Sequence, residues 1–380
     1  MNPNLGGSVH GLAELARRVG GVALIFGLAL GLSILVERTS LYFYLDRWVN
    51  DGVHAATAPK SRFDDMLVVD IDEAAKASLE PTLGPWPYDR AVFARVVEHL
   101  NSLGARNVVI DLVFSDRREG DDALAATLSG SGNVWLAAQG QTFDPPQDSR
   151  YRQQLEAFAW KPAELPRSTS WRRFRLPHAG LTGLDRARAG VGVLSVPPDD
   201  DGMLRRVPLI HESGGYYLPA LHLAAMFTPL ATPSIRVMGD TVQVGDRIWP
   251  VDANGNVLFR APRNLDALAA VSFDRVVNSA LGEEGEKLEK SMIEGRTIII
   301  GSTTASLGDY VRVPIYGRLA GLDILALAYS NLSRDLVLTP RSDTVKVLLC
   351  ILSALLPLFA TSRRGIPEWM VLVFYGLGVT

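Results

Sequence analysis

Charged residues are spread along most of this chain, and three of the stretches that lack them are also strongly apolar. Val19 to Val36 is 18 consecutive uncharged residues, Val347 to Ser362 is a second run, and a third begins at Trp369 and reaches Thr380. A bilayer core is about 30 Å thick, so a helix rising about 1.5 Å per residue needs about 20 apolar residues, with about 17 as the lower limit. The first run meets that limit. The second meets it when Val345 is added and Lys346 snorkels to the interface. The third reads as a helix cut off part-way. No A-x-A site follows the first run closely, since Ala56-Thr57-Ala58 lies well downstream, whereas Leu41-Tyr42-Phe43-Tyr44 and Trp48 resemble an interfacial aromatic belt. The run is therefore expected to be an uncleaved anchor. Arg17, Arg18, Arg363 and Arg364 flank the spans on the cytoplasmic side by the positive-inside rule. The organisation expected is a cytoplasmic N-terminus over 1–18, a span over 19–36 and an outer domain over 40–342. A second span over 345–362, a cytoplasmic turn over 363–367 and an incomplete third span over 368–380 follow. The expectation is a multi-pass inner-membrane protein with its large domain on the periplasmic or extracellular side.

Within the outer domain the pattern alternates between short apolar runs and amphipathic stretches. Met66 to Ile71 is rich in β-branched residues and reads as a strand buried on both faces. A Pro/Gly loop over Glu80 to Tyr88 follows. Asp89 can cap a helix with the stripe Val92, Val96, Val97, Leu100 and Leu103, stopped by Gly104. Asn107 to Phe114 predicts a second strand, Asp121 or Asp122 a cap for the next helix, and Val134 to Ala138 a third strand. Strands alternating with helices imply right-handed crossovers and a parallel sheet. The middle reads differently. Gly190–Val196 and Met203–Ile210 flank Pro-Pro-Asp-Asp-Asp-Gly as a hairpin, and turn signals at 239–240, 245–246 and 254–255 separate further short strands. Ser272–Ala280 and Glu284–Ile293 read as helices, Thr297–Ile300 as a buried strand, and Gly321–Leu332 as a helix leading toward the second span. The fold class is α/β: a parallel sheet flanked by helices, with an inserted antiparallel β meander, bracketed by transmembrane helices.

Composition narrows the function. The chain has 380 residues, a formal net charge of −3 and 47% hydrophobic residues. This is a folded chain with no electrostatic case for nucleic acid. The basic cluster Trp171 to Arg175 reads as a solvated loop face. Cys350, inside the second apolar run, is the only cysteine. The outer domain therefore has no disulfide, no thiol nucleophile and no Cys-based zinc site.

The candidate chemistry gathers where strands end. Asp70 and Asp72 lie at i and i+2 on one face near the end of the first strand. Asp111 ends the second strand, and Ser302 and Thr303, with Thr304, end a later one. Ligands of open α/β sheets bind beyond the carboxyl ends of strands, so these residues, with Trp86 and Arg90 on the adjacent loop, outline a small-ligand site. The competing assignment makes the aspartates helix caps or partners of Arg90. An enzyme alternative also exists. LVVDIDEA resembles the D-x-D motif of haloacid-dehalogenase-type phosphatases, which would make the chain a membrane-anchored, Mg-dependent phosphohydrolase using Asp70 and Asp72. Against it, Glu73-Ala74 replaces the usual Gly-Thr, no suitable lysine stands out, and Gly308-Asp309 follows Ser302 too closely. The six histidines lack metal spacing, with His99 expected at a helix surface and His211 and His222 in loop or packing roles. Asp199-Asp200-Asp201-Gly202 begins like a calcium loop but has Ile210 where the closing Glu belongs, so it reads as a turn. No catalytic residue, metal or cofactor is expected.

The blocks VVDID (68–72), GPWPYDR (84–90), GARNVVIDLVFSD (104–116), DDDGMLRRVPLIHESGGYYLPALHLAA (199–225) and IIIGSTTASLGDYVRVPIYGRLAGLDILALAYSNL (298–332) together resemble the CHASE2 sensory domain. The resemblance covers about residues 40 to 340. It implies an extracytoplasmic, mostly bacterial sensor, followed by about three spans and a cytoplasmic output such as a nucleotide cyclase, a histidine kinase or a diguanylate cyclase. It also implies a homodimer, and it supplies no ligand. The expectation is thus the input half of a membrane receptor, with the bilayer and an unidentified small-molecule or envelope stimulus as its partners. Any enzyme would lie in an output domain beyond residue 380.

Overall fold

The computed structural model describes residues 63–114, 116–140, 149–164, 189–213, 215–229, 233–262, 264–282, 287–304, 310–314 and 316–339, together with 51, 52, 56, 58 and 231. Six parallel strands form the central sheet: β1 (Phe63–Asp70), β2 (Asn107–Ile110), β3 (Val134–Ala138), β5 (Gly190–Val193), β13 (Leu268–Ser272) and β14 (Thr297–Gly301), in the order β13-β1-β14-β2-β3-β5. The register sets Val69 beside both Val271 and Ile300, and Ile300 beside Ile110. The sheet is covered on both faces, which is why its strands are almost continuously apolar.

Successive residues of a strand face opposite sides. Leu67, Val69 and Ile71, with Val108, Ile110 and Leu136, join one core cluster. It is covered by α1 (Glu73–Leu83), α2 (Arg90–Ser102), α3 (Asp121–Ser131) and α6 (Phe273–Leu281). Met66, Val68, Val109, Trp135 and Ile299 join the other cluster. There α8 (Gly321–Ser333) and the short α5 (Leu221–Ala224) lie against the sheet. The meander of β9 (Ile235–Met238), β10 (Thr241–Val244) and β11 (Arg247–Pro250) adds Val242 and Trp249 to the same core. Every residue from Ile324 to Leu332 of α8 is buried. A helix apolar all round is stable only inside a core, and at 13 residues α8 is far shorter than a span. Thr57–Pro340 form one compact unit.

The helix-entry signals hold in part. Asp89 caps α2, its Oδ1 accepting from the Ala91 N–H at 2.7 Å. The expected cap of α3 by Asp121 or Asp122 is not made. Gly120 holds the cap position without a side-chain bond, and Asp121 instead accepts from Arg90 at 3.0 Å. The Pro/Gly loop starts later than expected, because Glu80 to Leu83 complete α1, with Pro81 inside the helix. Strand two stops at Ile110 instead of Phe114. The largest correction concerns Gly190–Val196. It makes no hairpin with Met203–Ile210; its first four residues instead form the parallel edge strand beside β3, and Arg206–Pro208 pairs with Asn256–Leu258. The 199–202 turn forms as expected, with the Gly202 N–H donating to the Asp199 carbonyl. Of Glu284–Ile293, only Lys290–Ile293 is helical among the described residues. His99 is half-buried, its Nε2 2.8 Å from the Ser279 hydroxyl of α6. The three apolar runs, the basic cluster at 171–175 and Asp309 fall outside the described residues. Among the described residues, no helix is long and apolar enough to cross a membrane.

Candidate functional site

The carboxyl ends of β1, β14, β2, β3 and β5 open to the same side, and most of the expected site residues are found there. Gly301 closes β14 at a point of close packing. A Cβ on it would lie 2.7 Å from Leu322 Cδ1 and 3.0 Å from Asp111 Oδ2. Its absence lets α8 and the segment after β2 converge over the strand end. Beside them a cleft of about 470 Å3 is bordered by Asp111, Gln139, Ser195, His222, Ser302 and the first turns of α8. Leu322, Leu325, Val193 and Val311 supply apolar wall. The volume lies within the range of small-molecule sites.

Asp70 ends β1 next to this cleft. Its two oxygens accept from Thr303, Oδ1 from the N–H at 3.0 Å and Oδ2 from the hydroxyl at 2.7 Å. Burial nonetheless holds its carboxyl above the ordinary range, and the Thr303 bonds pull it back only partly. Asp323, in the first turn of α8, is raised further, to about 6, by burial and then by the charge of Asp70. A negative charge on Asp70 disfavours ionisation of the half-buried Asp323. The Ser302 hydroxyl donates to the Ile71 carbonyl at 2.7 Å and lies 3.0 Å from Thr304 Oγ1.

The seven expected residues therefore divide. Asp111 and Ser302 border the cleft, and Asp70 and Thr303 form a bonded pair at its edge. Asp72 caps α1, with Oδ1 2.6 Å from the Ala75 N–H. Arg90 and Trp86 belong elsewhere. Arg90 donates to Asp121 and to the Asp116 carbonyl and lies 4.3 Å over the Phe114 ring. Trp86 packs edge-on against Tyr88 and Phe93 in the first core layer. Both fix the loop rather than facing the cleft.

Sequence reasoning missed His222 and Asp323. His222 reaches the cleft because Gly192 lets α5 press onto β5: a Cβ there would sit 2.6 Å from Leu221 Cα. His222 is 1% exposed and His211 beside it 0%. Burial lowers His222 to about 4 and, together with the neighbouring His222, lowers His211 to about 3. Both rings are therefore neutral at ordinary pH. The only sequence signal for Asp323 was its position in the first turn of an apolar helix.

A parallel sheet with helices on both faces and a cleft beyond its strand ends is the architecture of doubly wound α/β domains, which hold ligands at that edge. Within that class the chain belongs to the CHASE2 domain family, whose match covers residues 21–360. CHASE2 domains are extracellular sensory domains. No curated protein and no solved structure matches the chain.

Proposed function

We propose that this chain is the extracytoplasmic input half of a membrane signal-transduction receptor. A stimulus received by the outer domain is relayed through transmembrane helices to a cytoplasmic cyclase, histidine kinase or diguanylate cyclase. The observation that carries this reading is the extent of the family match. It begins at Gly21, inside the first apolar run, and ends at Ala360, inside the second, so the apolar flanks belong to the matched region. The cleft supports it further. A stimulus can shift a two-state domain only by binding the two states differently, and one cleft wall is the first turns of α8, the last helix before the second apolar run. A shift of α8 then reaches the membrane through residues 334–344. The receptor works as a homodimer, because paired outputs need paired inputs.

Single cysteines placed around Arg341 in the complete receptor, in membranes, test the relay. Disulfide cross-linking between protomers is expected to change between output-on and output-off conditions. Cross-linking that stays the same in both removes the proposed route.

A further inference from the structure

We infer that a second pocket, at the amino end of the central sheet, binds a phosphate group, with Arg106 as its anchor. The cavity, of about 240 Å3, lies between the entry to β2, the end of α8 and the segment that follows α5. Arg106, Arg247 and Arg334 line it, and Asp65 is its carboxylate.

The balance of donors and acceptors points to an anion. Asp65 has both oxygens occupied: Oδ1 accepts from Arg334 Nε at 3.1 Å and Oδ2 from the Ser333 hydroxyl. On the apolar wall, the Phe227 carbonyl accepts from Trp135 Nε1 at 2.8 Å and from Asn107 Nδ2 at 3.2 Å, which also pins that wall in place. Donors are left over. Arg106 is exposed, and its bonds among the described residues use Nη2 alone, donating to the Thr297 hydroxyl at 3.1 Å and to the Tyr329 hydroxyl. Both acceptors are neutral, so no described carboxylate answers its charge, and Nε and Nη1 remain for a ligand. Arg247 is the second donor. Its bond to Asp335 at 3.0 Å joins side chains that are 44% and 63% exposed. An ion pair so exposed is worth at most about 1 kcal/mol, so Arg247 can exchange it for a bound anion. Arg334 stays with Asp65 and with the Phe63 ring, 5.2 Å away. A planar carboxylate is matched by one guanidinium fork. A tetrahedral phosphate presents oxygens to two guanidinium groups arriving from different elements, here the entry to β2 and β11. The phosphate belongs either to a soluble ester or to a lipid headgroup. β1 begins and α8 ends at this side of the sheet, and from them the chain continues to the apolar runs. The headgroup source alone rests on the sensor reading.

The full chain, in a sugar-headed detergent that carries no phosphate, is titrated by calorimetry with glycerol phosphate and, at matched ionic strength, with acetate. In parallel, native mass spectrometry compares retention of phosphatidylglycerol with that of a glucosyl diacylglycerol of the same acyl chains. Binding in at least one arm is expected, with acetate and the glycolipid about tenfold weaker or more. Arg106→Gln is expected to weaken it about tenfold, as for the loss of one charge-assisted contact, and Arg247→Gln about threefold. Arg247 lies on the exposed rim, so its variant decides the matter alone where Arg106→Gln fails to fold. Calorimetric binding assigns a soluble ester, and phosphatidylglycerol retention lost in the variants assigns a headgroup. Absence of binding in both arms, acetate bound as tightly as glycerol phosphate, or binding untouched by every variant that folds would overturn the site. Cross-linking near Arg341 reads the relay and not the pocket, so either proposal can fail with the other standing.

Discussion

The two ends of the central sheet differ in how α8 is held. At the amino end a group of buried polar side chains is tied together by hydrogen bonds, although Asn107 Oδ1, Asn133 Oδ1 and Arg260 Nε have no partner there. Arg106 donates to Tyr329 and, at 3.1 Å, to Thr297, whose hydroxyl lies 2.9 Å from that of Tyr329. Arg334 reaches Asp65 at 3.1 Å. Asn331, wholly buried, accepts from the Arg260 N–H at 2.7 Å and donates to the Arg260 and Leu327 carbonyls. At the carboxyl end, Asp70 and Asp323 sit above their ordinary range and His222 keeps an unanswered nitrogen. The same helix, α8, spans both ends. One end holds the helix by a hydrogen-bonded network, and the other places carboxyl and imidazole groups where burial disfavours their charge. Stability is placed away from the site, as expected where function requires strained or unpaired groups.

The sharpest test removes the anchor. Asn331→Ala strands the Arg260 N–H and carbonyl and leaves a cavity, so a loss of about 3–5 kcal/mol in urea unfolding is expected. A loss under about 1 kcal/mol would deny the amino end its holding role.

Acid should act through the other end. His211 and His222 are depressed to about 3 and 4 in the fold. Below their ordinary value near 6.5 the unfolded chain takes up protons that the folded chain refuses, so their contribution is intact above pH 6.5 and lost as pH falls toward 4. Asp323 has the opposite sign. Raised to about 6, it binds its proton in the folded state first, and it contributes stability as pH falls from about 6 to about 4. Two histidines outweigh one carboxyl, and about 3 kcal/mol is expected to be lost between pH 6.5 and 4.5. A flat stability profile over that window would contradict the buried neutral pair.

Asp323→Asn isolates the carboxyl. It removes a charge that burial and Asp70 disfavour, so about 1–2 kcal/mol of added stability is expected at pH 7, fading to nothing by pH 4. A variant less stable than the parent at pH 7 would mean that the carboxylate is wanted for a bond in the resting fold. The smallest effect belongs to Thr303→Val, which deletes the hydroxyl bond to Asp70 while keeping the N–H. A loss of about 1 kcal/mol is expected, with the Asp70 carboxyl pushed further up in NMR titration.

Much of the scaffold was legible because burial on both faces writes itself as β-branched runs. Met66–Ile71, Val134–Ala138 and Thr297–Ile300 all lie in the central sheet, and Gly321–Leu332 is α8. What was not legible depends on partners distant in sequence. Leu268–Ser272 is an edge strand only because β1 lies beside it, and Gly190–Val193 follows β3 where its own turn signal proposed a hairpin. The site splits the same way. Asp70, Asp111, Ser302 and Thr303 could be placed because strand ends are predictable. Trp86 and Arg90 were assigned by nearness in the chain, whereas Phe93, Phe114 and Asp121 claim them. His222 was unreadable because its place depends on Gly192 in another element.

The strand order has a consequence for how the chain is made. β1, which precedes both of its sheet partners in the chain, pairs on one side with Val271 and its neighbours and on the other with Ile300 and its neighbours. Both partners come some two hundred residues later. Closing such distances is slow, and until then a strand with the apolar centre Met66–Val69 has two open edges. The half-made domain is thus an aggregation hazard that ends only when β14 and α8 arrive. The nascent chain needs an escort over most of its length, and truncations before residue 301 should be held by chaperones or degraded rather than accumulate as smaller folded domains.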